Sequence, residues 1–387
     1  MYWSADGGTA NGVDGWLGIA DRTVSVAARE LCCRATMGGV SFAKASSNLA
    51  RLGQIRVSKE RLRQIVEAEG RCAKEAIRRG AVSAGWEASD CEVTPGGPTR
   101  LIVGCDGVMV PVVTAAEKRK RRSKRPRRRK VRRRRVKAKG RRPRQGLWPC
   151  QGDRPKRGRR RRHRGSDTGY KEFKIAAFYD AGREHQYAVG TAGNCEALGR
   201  LMRREAGRLR LPEADQKVAV TDGAEWIQRQ FQTRLPMLDA RILDYFHLMQ
   251  HVGAAALVLY GEGSEGASAW CAALSQAVCE EGAAGLLVAI HATRQGVRSR
   301  TKRQALQALE QYVVKRAEML DYPAFREQGF DIGSGPTEAF CKTLTSRLKG
   351  SGMRWDKPNA EAIMTLAALE HSHLWPTYWT YQRKAAA

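Results

Sequence analysis

The chain has 387 residues, enough for two or three domains with full cores, and a formal net charge of +30 with a pI near 10.3. Its ten cysteines form no C-x-x-C pair, which argues against a zinc ribbon or a disulfide framework and for reduced thiols. No basic-then-apolar leader opens the chain, and its longest apolar run, residues 282–290, is too short for a bilayer; the expectation is a cytoplasmic protein without a membrane partner.

Residues 1–98 read as an N-terminal helical domain. The start is Gly-rich, and helix begins near residues 22–33. Phe42, Ala45, Leu49 and Leu52 then fit one short amphipathic helix, which Gly53 ends. Ser58 is a good N-cap for a second helix through about residue 69, with Leu62, Ile65 and Val66 inward. Val57 and Leu62 hold the two positions of a hydrophobic staple, while Arg61 stands where a capping box needs an acid. Helix, short turn, helix over residues 41–70, with Lys59, Arg61 and Arg63 outward, matches a helix-turn-helix that contacts DNA. An ordinary helical hairpin satisfies the same pattern.

The Pro-Gly-Gly-Pro run at 95–98 marks a domain boundary. Residues 100–105 form an apolar strand, and Asp106-Gly107 reads as a hairpin turn into a second strand at 108–114. Between Glu117 and Gly165 lie 28 lysines and arginines against only two acids, Glu117 and Asp153, so this segment holds most of the excess charge. Too few apolar residues are present to offset ordering entropy, and disorder without a polyanion is expected at about 117–169. Nucleic acid is the polyanion such a segment implies.

Strands follow at 171–180 and 185–191, and Asn194 caps a helix running to about 208. A strand at 217–221 leads into Asp222-Gly223, then a helix at 224–233 carries Trp226. A further strand at 237–244 is followed at once by His247. The catalytic core is thus predicted over 99–247, and an all-helical insertion over 248–330, broken near 261–266 and Gly296. Residues 331–387 return to the core. A Gly-Ser-Gly turn precedes Pro336, which suits a first helical position, and Phe340, Leu344 and Leu348 make a buried stripe. Glu338, Lys342, Thr345 and Lys349 fall on the other side. A last helix spans about 358–373, and an aromatic tail closes the chain.

This element order is that of an RNase H-like α/β fold: a mixed sheet flanked by helices, with an all-helical insertion before the last catalytic helix. It brings Asp106, Asp222 and Glu338 toward one sheet edge. Three carboxylates suit Mg²⁺, with Mn²⁺ as a substitute, because both prefer hard oxygen ligands. Two such ions can activate a nucleophilic oxygen and stabilise a leaving one. Glu338 taken alone also reads as an exposed first-turn acid favoured by the helix dipole.

The blocks CDGVMVP around Asp106, VTDGAEWI around Asp222 and IGSGPTEAFCK around Glu338 resemble the motifs of bacterial insertion-sequence transposases of the DDE class, in particular the ISKra group. RLKGSGMRW, which follows, is similar to that group's signature. The resemblance covers about residue 41 to the end. It implies metal-dependent cleavage and strand transfer on DNA, with Asp106, Asp222 and Glu338 as catalytic metal ligands. It also implies element ends and target DNA as partners, a homodimer or higher assembly on DNA, a nucleoid-associated location and no small-molecule substrate. Lys342, Arg347, Lys349 and Arg354 become candidate phosphate contacts, and Trp355 a stacking or a core residue.

Asp244-Tyr245-Phe246-His247 resembles the D-x-x-H motif of Mutator-like transposases. His247 then contacts a phosphate or protonates a leaving group; as a structural residue it caps the strand-to-helix junction. His247 and His251 also have the i, i+4 spacing of a metal pair, but no third zinc ligand is evident. A non-catalytic helix-turn-helix regulator and a basic RNA-binding protein are the rival readings.

Overall fold

The computed structural model describes residues 2–4, 8–10, 24–39, 41–114, 116–117, 119, 169–350 and 353–386. The basic insertion expected at about 117–169 lies outside the described residues except at its ends. A short antiparallel hairpin, β1 (Tyr2–Ser4) with β2 (Gly8–Ala10), stands at the start.

The apolar runs of the middle region build one five-stranded mixed sheet. Its strands are β3 (Arg100–Pro111), β4 (Tyr170–Asp180), β5 (Gln186–Thr191), β6 (Gln216–Thr221) and β7 (Ala240–Leu243), in the order β5-β4-β3-β6-β7. β3 pairs antiparallel with β4 and parallel with β6; β4–β5 is antiparallel and β6–β7 parallel. Residues 101–105 and 173–180 are buried throughout rather than alternately, because helices cover both faces.

The hairpin expected at Asp106-Gly107 does not form. β3 runs straight through both residues and keeps its register with β4 as far as Pro111 opposite Tyr170. Val108 and Val110 continue the buried alternation, so inward packing wins over the local turn signal.

The N-terminal helices are α1 (Val26–Met37), α2 (Phe42–Leu52) and α3 (Lys59–Arg79). Ser58 caps α3 by accepting from the Arg61 N–H. α3 continues a further ten residues past Glu69, because Gly70 is not a stop. It is a contact: a Cβ there would lie 2.3 Å from the Ala362 carbonyl oxygen. The stop is Gly80, in the left-handed region at φ 78°.

Next come α4 (Cys195–Arg208), capped by Asn194, and α5 (Glu225–Arg234). The helical insertion holds α6 (Tyr245–Tyr260), α7 (Glu265–Gln295), α8 (Arg300–Val314) and the short α9 (Tyr322–Glu327). α7 is, among the described residues, one helix of 31 residues long and apolar enough to cross a membrane. Gly282 breaks its helical geometry, and Trp270, Leu274, Val278, Leu286 and Ile290 are buried. It packs against α6, α8 and α9 as a wall of the insertion's bundle.

The chain closes with α10 (Gly335–Lys349), α11 (Lys357–His371) and α12 (Trp375–Ala386). The expected aromatic tail is in fact this last helix. Trp375, Tyr378 and Trp379 share a helical face and are buried, and the Tyr378 hydroxyl donates to Glu69 at 2.6 Å. α11 packs on α3 and β5, and α10 on β3, so one continuous core joins the two ends of the chain to the sheet.

Candidate active site

The β3–β6 register ends at Cys105 opposite Thr221. β6 ends there while β3 runs on, so the next residues, Asp106 within β3 and Asp222 just past β6, stand beside each other where the parallel pairing stops. The turn after β6 is made by Gly223, at φ 71°. A side chain there would be strained, and would also meet Leu243 at 2.6 Å and Arg316 at 2.8 Å. Asp222 is held in turn by accepting the Ala224 N–H at 2.9 Å.

Glu338 reaches the same place from far along the chain. Gly104 and Asp106 lie on one face of β3, two residues apart. α10 sits so close over that face that a Cβ on Gly104 would fall 1.7 Å from the Thr337 hydroxyl oxygen. The residue after Thr337 is Glu338, exposed in the first turn of α10. Asp106, Asp222 and Glu338 accordingly line one pocket of about 200 Å³, together with Cys105, Thr221, His247, Ser334 and Thr337. A larger cavity of about 390 Å³ lies between α3, β5, α4 and α11, but it is mostly apolar and gathers no carboxylate cluster.

Asp106 accepts the Gly107 N–H at 2.5 Å. Burial raises its pKa above the ordinary aspartate value, and the charges of Asp222 and Glu338 push the same way; the Gly107 N–H and the Cys341 thiol oppose the rise. Cys341, one turn beyond Glu338, lies against Asp106, and burial pushes its thiol pKa well up. Among the described residues, no three His, Cys, Asp or Glu groups converge tightly enough to form a ready cation cage. The donor set still suits a hard divalent cation. It offers three carboxylates in one open pocket, one of them desolvated and repelled by the other two, which is the electrostatic deficit a cation relieves.

His247 lines the pocket from the first turn of α6. Asp244 is the buried N-cap of that helix and accepts the His247 N–H at 2.7 Å. The aspartate of D-x-x-H therefore does structural work while the histidine faces the carboxylates. His251 sits edge-on to His247 at 5.2 Å and stacks on Tyr312 at 3.9 Å. Burial, followed by the charges of His247 and Arg316, lowers the His251 pKa. Arg316 lies 4.0 Å over Tyr312 and donates to the Gly223 carbonyl at 3.0 Å. The insertion thereby clasps the turn that carries Asp222.

The basic residues separate into two groups. Lys342 and Lys349 are exposed on α10, on the helix that bears Glu338, and Thr345, expected beside them, is buried. Arg354 reaches Glu117 at 3.5 Å. Arg347 does not face the pocket: it is buried, donates to the Thr36 carbonyl at 3.2 Å and lies over the Phe42 and Trp355 rings. An apolar stripe wider than four-residue spacing suggested is the reason. Trp355 is likewise a core residue, edge-on to Phe42 at 5.8 Å and hydrogen-bonded through its backbone to the end of β3. On α3, Lys59 and Arg61 are exposed, whereas Arg63 is tied to Glu60 and Glu67 on its own helix.

Sequence reading missed Cys341, Thr337 and Ser334 as neighbours of the carboxylates. The spacing from Glu338 held a signal for the first, since i and i+3 share a helix face. Searched against family models, the chain matches none, and no curated protein matches it.

Proposed function

We propose that this protein is a DDE-type transposase that cleaves DNA at the ends of an insertion sequence and joins them to target DNA. The observation that carries the reading is the meeting of Asp106, Asp222 and Glu338, from three distant segments, in one pocket. An RNase H-like identity is part of the proposal. The strand order β5-β4-β3-β6-β7, antiparallel on one side of β3 and parallel on the other, supports it.

Asp106, Asp222 and Glu338 would hold Mg²⁺ or Mn²⁺. When bound, such an ion supplies Lewis-acid charge for phosphoryl transfer. The chain's own residues do the remainder. Lys342 and Lys349, exposed on α10, offer charge to the phosphates of the strand entering beside Glu338. Glu338 accepts a hydrogen bond from the attacking water or 3′-hydroxyl and so orients its oxygen toward phosphorus. His247, which lines the same pocket from α6, can donate a proton to the departing 3′-oxygen. A P–O bond forms to the nucleophile as the P–O3′ bond breaks, which leaves a free 3′-OH for the second step. The exposed Lys59 and Arg61 face of α2–α3 and the basic insertion serve DNA binding in this reading, on a homodimer or larger assembly in the bacterial cytoplasm.

The deciding experiment incubates the full chain with a labelled duplex spanning each end of its element, with Mg²⁺, Mn²⁺ or EDTA. Cation-dependent nicking at the element boundary is expected. Sequence-specific binding with no nicking under either cation would replace the proposal with the DNA-binding regulator.

A further inference from the structure

Phe246 sits between Asp244 and His247 and is 65% exposed, although it stands beside the carboxylate pocket. A single exposed phenylalanine on a surface is ordinary. This one is braced on two sides. Its ring rests over Gly333, where an added Cβ would lie 3.5 Å away, and Gly333 directly precedes Ser334 of the pocket wall. The edge of Tyr245 supports it at 5.4 Å and 77°. Tyr245 is itself fixed, by a 2.7 Å hydrogen bond between its hydroxyl and Ser275 and by its N–H to the Ile332 carbonyl at 2.9 Å. The result is a held aromatic face, bare to solvent, one residue from the histidine that faces the carboxylates.

We infer that Phe246 is a stacking platform for an unpaired nucleobase next to the phosphate held at the carboxylate pocket. The inference rests on the proposed DNA substrate. A base inside a duplex hides both faces in the stack, so a ring at this position gains contact only with a base that has left it. Stacking is tolerant of base identity, because every base has a π-face. The platform therefore adds affinity for a frayed or single strand at the reacting phosphate without reading its sequence.

The test measures binding of the full chain to a short single strand of thymidines, and to the same strand with abasic sites. It uses Ca²⁺ to fill oxygen sites without supporting turnover and raised salt to suppress the counterion-driven background. Phe246→Ala is expected to weaken the base-bearing strand by about 5- to 150-fold, the range of one stacked base. It is expected to leave the abasic strand unchanged, and Phe246→Trp to restore the loss. Thermal melts confirm that both variants fold. Equal loss on the two strands, or no loss on either, overturns the inference. Cleavage of the labelled duplex is measured in parallel. If the wild type nicks but Phe246→Ala shows no base-dependent loss, the platform fails and the transposase reading stands. If base-dependent stacking appears without any nicking, the platform stands and the enzymatic reading fails.

Discussion

The two oxygens of the buried Asp244 carboxylate hold two separate segments: one accepts the His247 N–H and the other accepts the Ser334 N–H. One side chain thus joins the start of α6, which carries His247, to the turn that launches α10, which carries Glu338. Asp244→Asn tests this. An amide keeps one accepting oxygen and turns an NH₂ toward the other donor. The expected loss is about 1–3 kcal/mol of stability, the cost of leaving a buried donor unmet, measured by urea denaturation. A variant as stable as the wild type would show that the bridge carries little.

The contact between Gly104 and Thr337 makes a second prediction. Gly104→Ala puts a methyl group into space that the Thr337 side chain fills, so α10 must move outward. Overpacking of this kind costs about 1–3 kcal/mol. Cleavage is expected to fall further than stability, because the displaced helix takes Glu338 with it. Thr337→Gly in the same chain opens the space and should recover part of both. Recovery of neither would mean that α10 is not held by this contact.

Much of the local structure was legible in the sequence, because it is set by neighbours along the chain. Ser58 and Asn194 cap the helices their positions implied, and a strand does lead into Asp222. What was not legible depends on partners far away. Asp106-Gly107 has the composition of a turn, yet β4, from beyond the basic insertion, pairs across it and keeps it extended. That α3 runs unbroken past Glu69 is tied to Gly70, whose partner Ala362 lies in α11. Arg347 looked like a phosphate contact because nothing local says that Phe42 and Trp355 meet around it. The candidate carboxylates could be named from the motifs around them, Asp222 at a strand end and Glu338 at a helix start, whereas Asp106, expected at a strand end, lies within β3. Their convergence follows from the β3–β6 register and the Gly104 contact, which no local pattern encodes.

Glu361 makes a pH prediction. It lies on α11, pairs with Lys74 of α3 at 2.7 Å and accepts from the Thr191 hydroxyl and the Ala192 N–H at the end of β5. Burial acts to raise its pKa, but Lys74, Thr191 and Ala192 together hold it below the ordinary glutamate value. A depressed folded pKa contributes stability that is fully present above the unfolded value, about 4.3, and is lost as pH falls through the folded one. The stability gap between wild type and Glu361→Gln should therefore be widest near neutral pH and narrow below about pH 4.3. Denaturant melts at a series of pH values measure it. A gap that stays constant across that range would show that the contact does not depend on ionisation.

Glu338→Gln is the sharpest test of the site. The substitution keeps size and helix propensity at an exposed first-turn position and removes one negative charge, so folding should survive. The neutral amide is a poorer ligand for a hard cation. Changes to groups that merely support a metal ligand cost about 10–100-fold in affinity or activity, so loss of a ligand itself should lower cleavage by more than about 100-fold. DNA binding should persist, because the exposed cations of α3 and the basic insertion are untouched. Glu327→Gln, an exposed acid ahead of the same turn, is the control and should stay active. Nicking by Glu338→Gln at the wild-type rate in Mg²⁺ would remove Glu338 from the site. The two aspartates would then be left without a third carboxylate, and the exposed acid would be no more than a favourable charge at the start of α10.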